Sequence, residues 1–197
     1  APEQAVEAWY TLAVARRYGK DTSGALEAVD ALLALAPEHS RAFQERGYAF
    51  LAANRPQDAA VAFGGAVELN PGLIGSWKAL ANLHDIAGRE QQANFARAQI
   101  EFLGTLPPAL LAVIDLLHEG KLAKAEGLCR QFLKDHPHHI EAMRLLADIG
   151  TRLRVLDDAE FLLESCVELQ PDNVRARSDY VRILNRKGKF AKAREQA

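Results

Sequence analysis

Small and large apolar residues occupy fixed places along the chain, and these places recur at a regular interval. Prolines mark the interval, because Pro37 and Pro71 are 34 residues apart and Pro137 and Pro171 are also 34 residues apart. Setting each proline at the thirty-second place of a repeat gives six repeats, of which the last is incomplete. They span residues 6–39, 40–73, 74–105, 106–139, 140–173 and 174–197. We therefore expect a single continuous array over residues 1–197.

Alanine occupies the twentieth place of every repeat in this register. The six residues are Ala25, Ala59, Ala93, Ala125, Ala159 and Ala193. The eighth place is also small in most repeats, as at Ala13, Gly47 and Ala81. Two helices can cross closely only where small side chains let their backbones approach. The pattern therefore predicts a pair of crossing helices in each repeat, and in three repeats a glycine (Gly88, Gly120 or Gly188) ends the first helix.

The period, the alanines and the aromatic residues Trp9, Phe43 and Trp77 at the fourth place resemble the tetratricopeptide repeat (TPR) family over essentially the whole chain. The resemblance implies an all-α fold, an α-solenoid in which about six helix-turn-helix repeats form a right-handed superhelix. It also implies a protein-protein or peptide-binding scaffold that is not itself a catalyst. The ligand would lie in a concave groove lined by the first helix of each repeat.

The resemblance places the second, fifth, sixth, ninth, twelfth and thirteenth places of each repeat in that groove. On this basis we predict that the partner-binding residues are Lys78, Asn82, Asp85, Arg144, Asp148, Arg152, Arg175, Arg182 and Arg186. Arginine offers a planar fork of donors to carboxylate, sulfate or phosphate, so an acidic peptide or an anionic group would suit the arginine-rich end. The alternative is that these arginines only pair with Asp148, Asp179 and Glu141.

Lys78 and Asn82 also match the first pair of the carboxylate clamp with which some TPR domains grip the C-terminus of chaperones. The rest of that clamp is not matched. Leu111 stands where its second asparagine belongs, and Glu141 and Leu145 replace its later lysine and arginine. We therefore do not predict binding of chaperone tails.

The fourth repeat differs from its neighbours because it is apolar where they are polar. We predict an apolar groove patch formed by Leu110, Leu111, Ile114 and Leu117. Exposed apolar patches usually mark a site for a partner helix or another domain. The alternative is that the two-residue deletion before this repeat reorients its first helix and buries these side chains.

The sequence contains no phosphate-binding loop and none of the common hydrolase or metalloprotease motifs. We therefore predict no catalytic, cofactor-binding or metal-binding residue. The cluster His136-Pro137-His138-His139 lies in a turn between repeats without further ligands, and we interpret it as solvated. Cys129 and Cys166 fall at packing positions, and their small number favours buried free thiols in a reducing, cytoplasmic compartment.

The formal net charge is −2, which argues against general binding to nucleic acids or membranes. The last repeat differs, since residues 174–197 carry eight basic against two acidic residues, a local balance of +6. Contact with lipid or nucleic acid through this segment is therefore a further hypothesis. Its test is a steep loss of binding with salt.

Several short segments between Leu106 and Tyr180, including His136-Pro137-His138 and Arg177-Ser178-Asp179-Tyr180, resemble the TPR region of bacterial TPR-sulfotransferase fusion proteins. The incomplete sixth repeat and the position of Pro2 lead us to expect that the chain is a segment of a larger protein. The second hypothesis is therefore a substrate-docking arm of a sulfotransferase that uses the donor PAPS. Its catalytic domain would follow Ala197 and contact the array.

Overall fold

The computed structural model describes residues 2–197, and within that range the regular secondary structure is entirely α-helical. The chain forms two compact units, the first ending at Leu106 and the second spanning Pro107–Ala197. The helices of the first unit are α1 (Pro2–Tyr18), α2 (Thr22–Leu35), α3 (Ser40–Ala52), α4 (Pro56–Leu69), α5 (Ile74–Ile86) and α6 (Glu90–Thr105). Those of the second are α7 (Pro108–His118), α8 (Leu122–Asp135), α9 (Ile140–Arg152), α10 (Leu156–Leu169), α11 (Val174–Arg186) and α12 (Phe190–Gln196).

Each unit consists of helical hairpins that stack in chain order. In the first unit α1 packs on α2 and also contacts α3, and in the second unit α9 contacts both α7 and α11. The prediction of an all-α fold built from helix-turn-helix repeats is confirmed. The helices α3, α5, α9 and α11 begin at the predicted repeat starts Ser40, Ile74, Ile140 and Val174. The single array over residues 1–197 and its superhelical hand stay predictions.

The alanine of the twentieth place is at the helix crossing of every hairpin. All six of these alanines are buried, with at most 2% of their surface exposed. Leucine, valine and aromatic side chains pack around them, as Phe63 does in the second hairpin and Leu163 in the fifth. The predicted packing role of these alanines is confirmed.

Three of the six hairpin turns use glycine in the left-handed backbone region, as predicted: Gly88, Gly120 and Gly188 have φ between 68° and 73°. The other three turns place Lys20, Asn54 and Arg154 at the same point with φ between 56° and 64°. Lysine and arginine are strained in this region, and asparagine adopts it more readily than they do. The hairpin geometry therefore imposes the conformation even where the sequence has no glycine.

Side chains at the thirty-fourth place begin several of the first helices. The backbone N–H of Ala142 donates to Nδ1 of His139 at 3.3 Å, and the N–H of Ala42 donates to His39 in the same way at 3.1 Å. Asn173 accepts the equivalent bond from Ala176 at 3.0 Å. These are N-caps, which satisfy backbone donors that have no partner within the helix.

A buried carboxylate connects the end of the second unit to α10. Glu160 is 6% exposed and accepts hydrogen bonds from Lys189 Nζ at 2.6 and 2.7 Å, and Lys187 donates to both Glu160 and Asp157. Hydrogen bonds from Lys187 and Lys189 lower the pKa of Glu160 below its ordinary value of 4.5. This cluster fixes the turn between α11 and α12.

The helix crossing at Gly47 gives the first prediction. A Cβ at Gly47 would lie 2.7 Å from the Phe63 ring, so Gly47→Ala should lower the free energy of unfolding by about 1–3 kcal/mol. A Cβ at Gly64, in the middle of α4, would meet no atom within 4 Å beyond the backbone of its own helix and its chain neighbours, and Gly64→Ala should be neutral or stabilise by up to about 1 kcal/mol. Urea unfolding of both variants measures the difference. Equal effects would contradict the proposed close crossing.

The second prediction concerns acid stability. Because the pKa of Glu160 is lower in the folded chain, its stabilising contribution is complete above its ordinary value of 4.5 and is lost as the pH falls through the lowered pKa. Glu160→Gln should therefore be less stable than the parent at neutral pH, and its stability should decline less on acidification. Urea unfolding over a pH series measures this, with Asp172→Asn at an exposed turn as the control. Parallel pH profiles for parent and Glu160→Gln would contradict it.

Candidate functional site

A cleft of about 370 Å³ lies within the second unit, between α9 and α11. We call it the arginine-lined cleft. Its lining residues are Glu141, Arg144, Leu145, Asp148, Thr151, Arg152, Leu163, Asp179, Arg182, Ile183 and Arg186. Five of the predicted partner-binding residues lie in it: Arg144, Asp148, Arg152, Arg182 and Arg186.

The helical period explains why these side chains share one surface. The cleft-lining residues of α9 recur at intervals of three or four, from Glu141 through Asp148 to Arg152, and therefore lie on one face of the helix. On α11 the residues Asp179, Arg182 and Arg186 do the same. The remaining faces hold the buried apolar residues that pack each helix into the unit. Burial of one face thus presents the charged face to the cleft.

Arg144 is held inside this cleft by two carboxylates. Its side chain is 14% exposed, and its Nη1 donates to Glu141 at 2.6 Å while Nε and Nη2 donate to Asp179 at 2.8 and 2.5 Å. Burial works to lower the pKa of Arg144, but the charges of Glu141 and Asp179 outweigh it and raise that pKa. For this arginine, the structure agrees with the alternative of internal pairing.

The other arginines of the cleft are more exposed. The side chain of Arg182 is 74% exposed and donates one bond of 3.0 Å to Asp179. Arg152 is 40% exposed, lies 3.4 Å from Asp148 and donates at 3.5 Å to the carbonyl oxygen of Leu117. Arg186 is exposed and pairs with no residue in the described range 2–197. These three guanidinium groups have donors available to a ligand.

Three apolar side chains outside the predicted set of binding residues form part of the cleft wall. Leu145 is half-buried, and Leu163 and Ile183 are almost fully buried. Leu145 lies four residues after Glu141, and Ile183 lies four residues after Asp179, so the helical period could have identified both. Leu163 comes from α10 and enters the cleft only through the packing of the hairpin.

The remaining predicted polar residues lie elsewhere. Lys78, Asn82 and Asp85 are exposed on α5 in the first unit, where Asp85 pairs with Arg97 at 2.6 Å. Arg175 is exposed on α11 but does not line the arginine-lined cleft. A binding role for these four residues stays a prediction.

The prediction of an apolar groove patch is wrong for most of its residues, because they are buried. Leu110 and Leu117 are at most 1% exposed and belong to a core cluster with residues of α8 and α9, and Ile114 is 7% exposed. Leu111 is half-buried. The apolar residues of α7 recur at intervals of three and four and therefore lie on one face. The short helix packs against α8 and α9 through this face, because it has no other apolar surface of that size. The alternative of internal burial is the one that the structure shows.

Two of the three histidines between α8 and α9 have structural roles, and the third, His138, is exposed in the turn. His139 is the N-cap of α9, and the ring of His136 lies 4.6 Å from that of Phe132. Within residues 2–197 no group of three His, Cys, Asp or Glu side chains is arranged to hold a metal ion.

Both cysteines are buried and unpaired, as predicted. The thiol of Cys129 donates to the carbonyl oxygen of Ala142 at 3.1 Å, and burial raises the pKa of both thiols to about 11. Neither is therefore a reactive thiolate at neutral pH.

The basic excess of the last repeat is partly compensated by other helices. Lys187 and Lys189 bind Glu160, and Lys192 lies 2.7 Å from Glu164. Binding to phosphate backbones depends on lysines and arginines that are not already neutralised. These ion pairs leave fewer free charges than the sequence balance indicates. Separately, no single helix in the described part of the chain is long and apolar enough to cross a membrane.

Arg144 gives the third prediction. Removing it leaves the mostly buried carboxylates of Glu141 and Asp179 without their main partner, so Arg144→Ala should lower the free energy of unfolding by about 2–4 kcal/mol. Arg186→Ala removes an exposed side chain that has no partner among the described residues. It should change the free energy of unfolding by no more than about 0.5 kcal/mol. Thermal or urea unfolding compares them. An Arg144→Ala variant as stable as the parent would contradict a structural role for this ion-pair cluster.

Comparisons with known proteins agree with the repeat pattern. The family model described as tetratricopeptide repeat matches residues 10–74, about a third of the chain and entirely within the first unit. No curated protein matches the chain. TPR repeats are therefore supported directly by a family match in the first unit.

Solved structures with a similar helical arrangement share little sequence with this chain. The pilF protein of Pseudomonas aeruginosa has 14% identity and a TM-score of 0.48, covering 99% of this chain and 90% of its own. PilW, a type IV pilus biogenesis factor, has 17% identity and a TM-score of 0.47, covering 98% and 90%. YrrB, a TPR protein with an unusual peptide-binding site, has 17% identity and a TM-score of 0.45, covering 89% and 95%.

Proposed function

We propose that this chain is a protein-binding module, and that the arginine-lined cleft of the second unit binds a peptide segment of the partner. The observation that carries the proposal is the cleft itself, about 370 Å³ between α9 and α11 with three exposed arginines on its walls. Concave sites with an apolar wall and a few oriented polar groups are the usual form of binding sites. The family match to TPR repeats in the first unit supports the same class of function.

The charge of the cleft favours an acidic partner. Arg152, Arg182 and Arg186 present planar guanidinium donors, which suit carboxylates and other anions better than neutral groups. Leu145 supplies apolar surface next to them. We therefore propose that the partner segment carries negative charge.

Binding in this cleft does not need a covalent step. Thr151 supplies the only hydroxyl among the cleft-lining residues, and its Oγ1 donates to the carbonyl oxygen of Ala147 at 2.8 Å. An activated nucleophile would instead need a neighbouring base. Shape and charge complementarity are thus the proposed mechanism, in a cytoplasmic setting.

The substrate-docking arm of a PAPS-dependent sulfotransferase is the second proposal. It depends on the sequence resemblance between Leu106 and Tyr180 and on an active site in residues beyond Ala197. The coding sequence downstream of Ala197 tests it directly. A downstream sequence without a PAPS-binding domain would contradict it.

Selection from a displayed random peptide library tests the peptide-binding proposal. Selected peptides are labelled, and their affinity for the complete chain is measured by fluorescence anisotropy. We expect Thr151→Tyr to weaken binding at least about tenfold, because the ring would fill part of the cleft from its wall. This is the fourth prediction.

Ser178→Tyr is the matched control, because Ser178 is exposed on α11 outside the cleft. It should bind the selected peptides as the parent does. Circular dichroism and urea unfolding establish that both variants fold. Failure to select any peptide would contradict the peptide-binding proposal, and equal affinity of both variants would exclude the cleft as the site.

A further inference from the structure

We propose that the arginine-lined cleft binds its acidic segment at one end only, where the ligand's carboxylates engage Arg182 and Arg186 and replace Asp148 as the partner of Arg152. This inference rests on the proposed peptide-binding function and adds the ligand's orientation, its charge requirement and a residue that controls its affinity. It makes Asp148 a specificity-determining residue. Arg144 does not contact the ligand.

One end of the cleft is already neutralised by the protein. Arg144 is mostly buried between Glu141 and Asp179, and its donors bind those two carboxylates at 2.5–2.8 Å. Charge-assisted bonds of this kind, shielded from solvent, are costly to break. A ligand carboxylate therefore has no free guanidinium to bind at this end.

The opposite end is not neutralised. Arg152 is the last residue of α9 and lies eight positions after the neutralised Arg144. Arg186 is the last residue of α11 and lies seven positions after the neutralised Asp179. At 1.5 Å per residue this places the free charges roughly 10–12 Å further along the cleft. Arg182, one turn before Arg186, has a single bond to Asp179 and is 74% exposed. The positive charge available to a ligand is therefore concentrated at the C-terminal ends of the two helices.

The ion pair between Asp148 and Arg152 is weak. The two side chains are 3.4 Å apart and 40–47% exposed, in contrast to the short bonds around Arg144. Exposed ion pairs at a spacing of four residues contribute little to stability. A ligand carboxylate can thus take the place of Asp148 on Arg152 without disturbing the fold.

The charge balance shows what this exchange means for the ligand. The cleft is lined by four arginines and three carboxylates, a formal excess of one positive charge. One ligand carboxylate binds Arg182 and Arg186. A second ligand carboxylate is needed to replace Asp148 on Arg152. The chemical class is therefore a peptide segment with at least two acidic side chains. Removal of the Asp148 charge should tighten its binding.

The experiment uses three labelled short peptides that differ only at two positions flanking a leucine, which carry two glutamates, two glutamines or two lysines. Their dissociation constants for the complete chain are measured by fluorescence anisotropy at low and moderate salt. We expect the glutamate peptide to bind at least about tenfold more tightly than the glutamine peptide, with the advantage decreasing as salt is added. The lysine peptide should bind most weakly.

Asp148→Asn should tighten binding of the glutamate peptide by about three- to tenfold and leave the glutamine peptide unchanged. Asp172→Asn changes the net charge equally at an exposed turn outside the cleft and is the matched control. Arg186→Ala should weaken binding of the glutamate peptide about tenfold. Urea unfolding of each variant distinguishes a loss of binding from a loss of folding.

The outcomes separate the two proposals. One outcome is that Thr151→Tyr weakens binding of the library-selected peptides while the glutamate peptide binds no more tightly than the glutamine peptide. In that case the proposal of an acidic ligand is wrong, and the proposal of peptide binding is retained. If the glutamate peptide is preferred but Asp148→Asn and Asp172→Asn behave alike, the exchange at Arg152 is wrong. If no peptide of either kind binds, both proposals fail.

Discussion

The close approach of two helices at the alanine of the twentieth place is the constraint on which the rest of the fold depends. It fixes which face of each helix is buried, and the helical period then determines which faces remain for solvent. At Gly47 the approach is so close that even a methyl group would meet the Phe63 ring. In the second unit the same packing leaves the charged faces of α9 and α11 to line one cleft. The arginine-lined cleft is thus a by-product of how the hairpins pack.

The charges of the second unit divide into two groups by their environment. Glu160 is buried and Arg144 is mostly buried, each with two partners of opposite charge at short distance, and they hold neighbouring helices together. Arg182 and Arg186 are exposed and have one partner or none among the described residues. Buried pairs are costly to disrupt, whereas exposed charges exchange partners readily. A sequence count of basic residues cannot separate these groups, because burial and pairing depend on the packed structure.

Local sequence determined much of the fold. The proline period located the starts of α3, α5, α9 and α11, the alanines located the helix crossings, and the glycines located three of the six hairpin turns. The left-handed conformation at Lys20 and Arg154 was not predicted, because the packed hairpin imposes it against the preference of the residue, whereas Asn54 is of a type that adopts it more readily.

The candidate site was predictable in part. Repeat places brought Arg144, Asp148 and Arg182 to one cleft, since the helical period carries that information. The sequence alone does not distinguish burial of Leu110 and Leu117 from exposure, because an apolar stripe has the same sequence pattern whether it faces a partner or the core of its own unit. Leu163 reaches the cleft from α10, and only the tertiary packing places it there.

The two units carry different natural probes. Both tryptophans, Trp9 and Trp77, belong to the first unit, whereas both cysteines, Cys129 and Cys166, are buried in the second. Indole fluorescence therefore reports on the first unit, and the reaction of newly exposed thiols with an added thiol reagent reports on the second, without any substitution. Unfolding of the two halves can be followed side by side in one sample, and a difference between the two curves measures directly how far they are coupled.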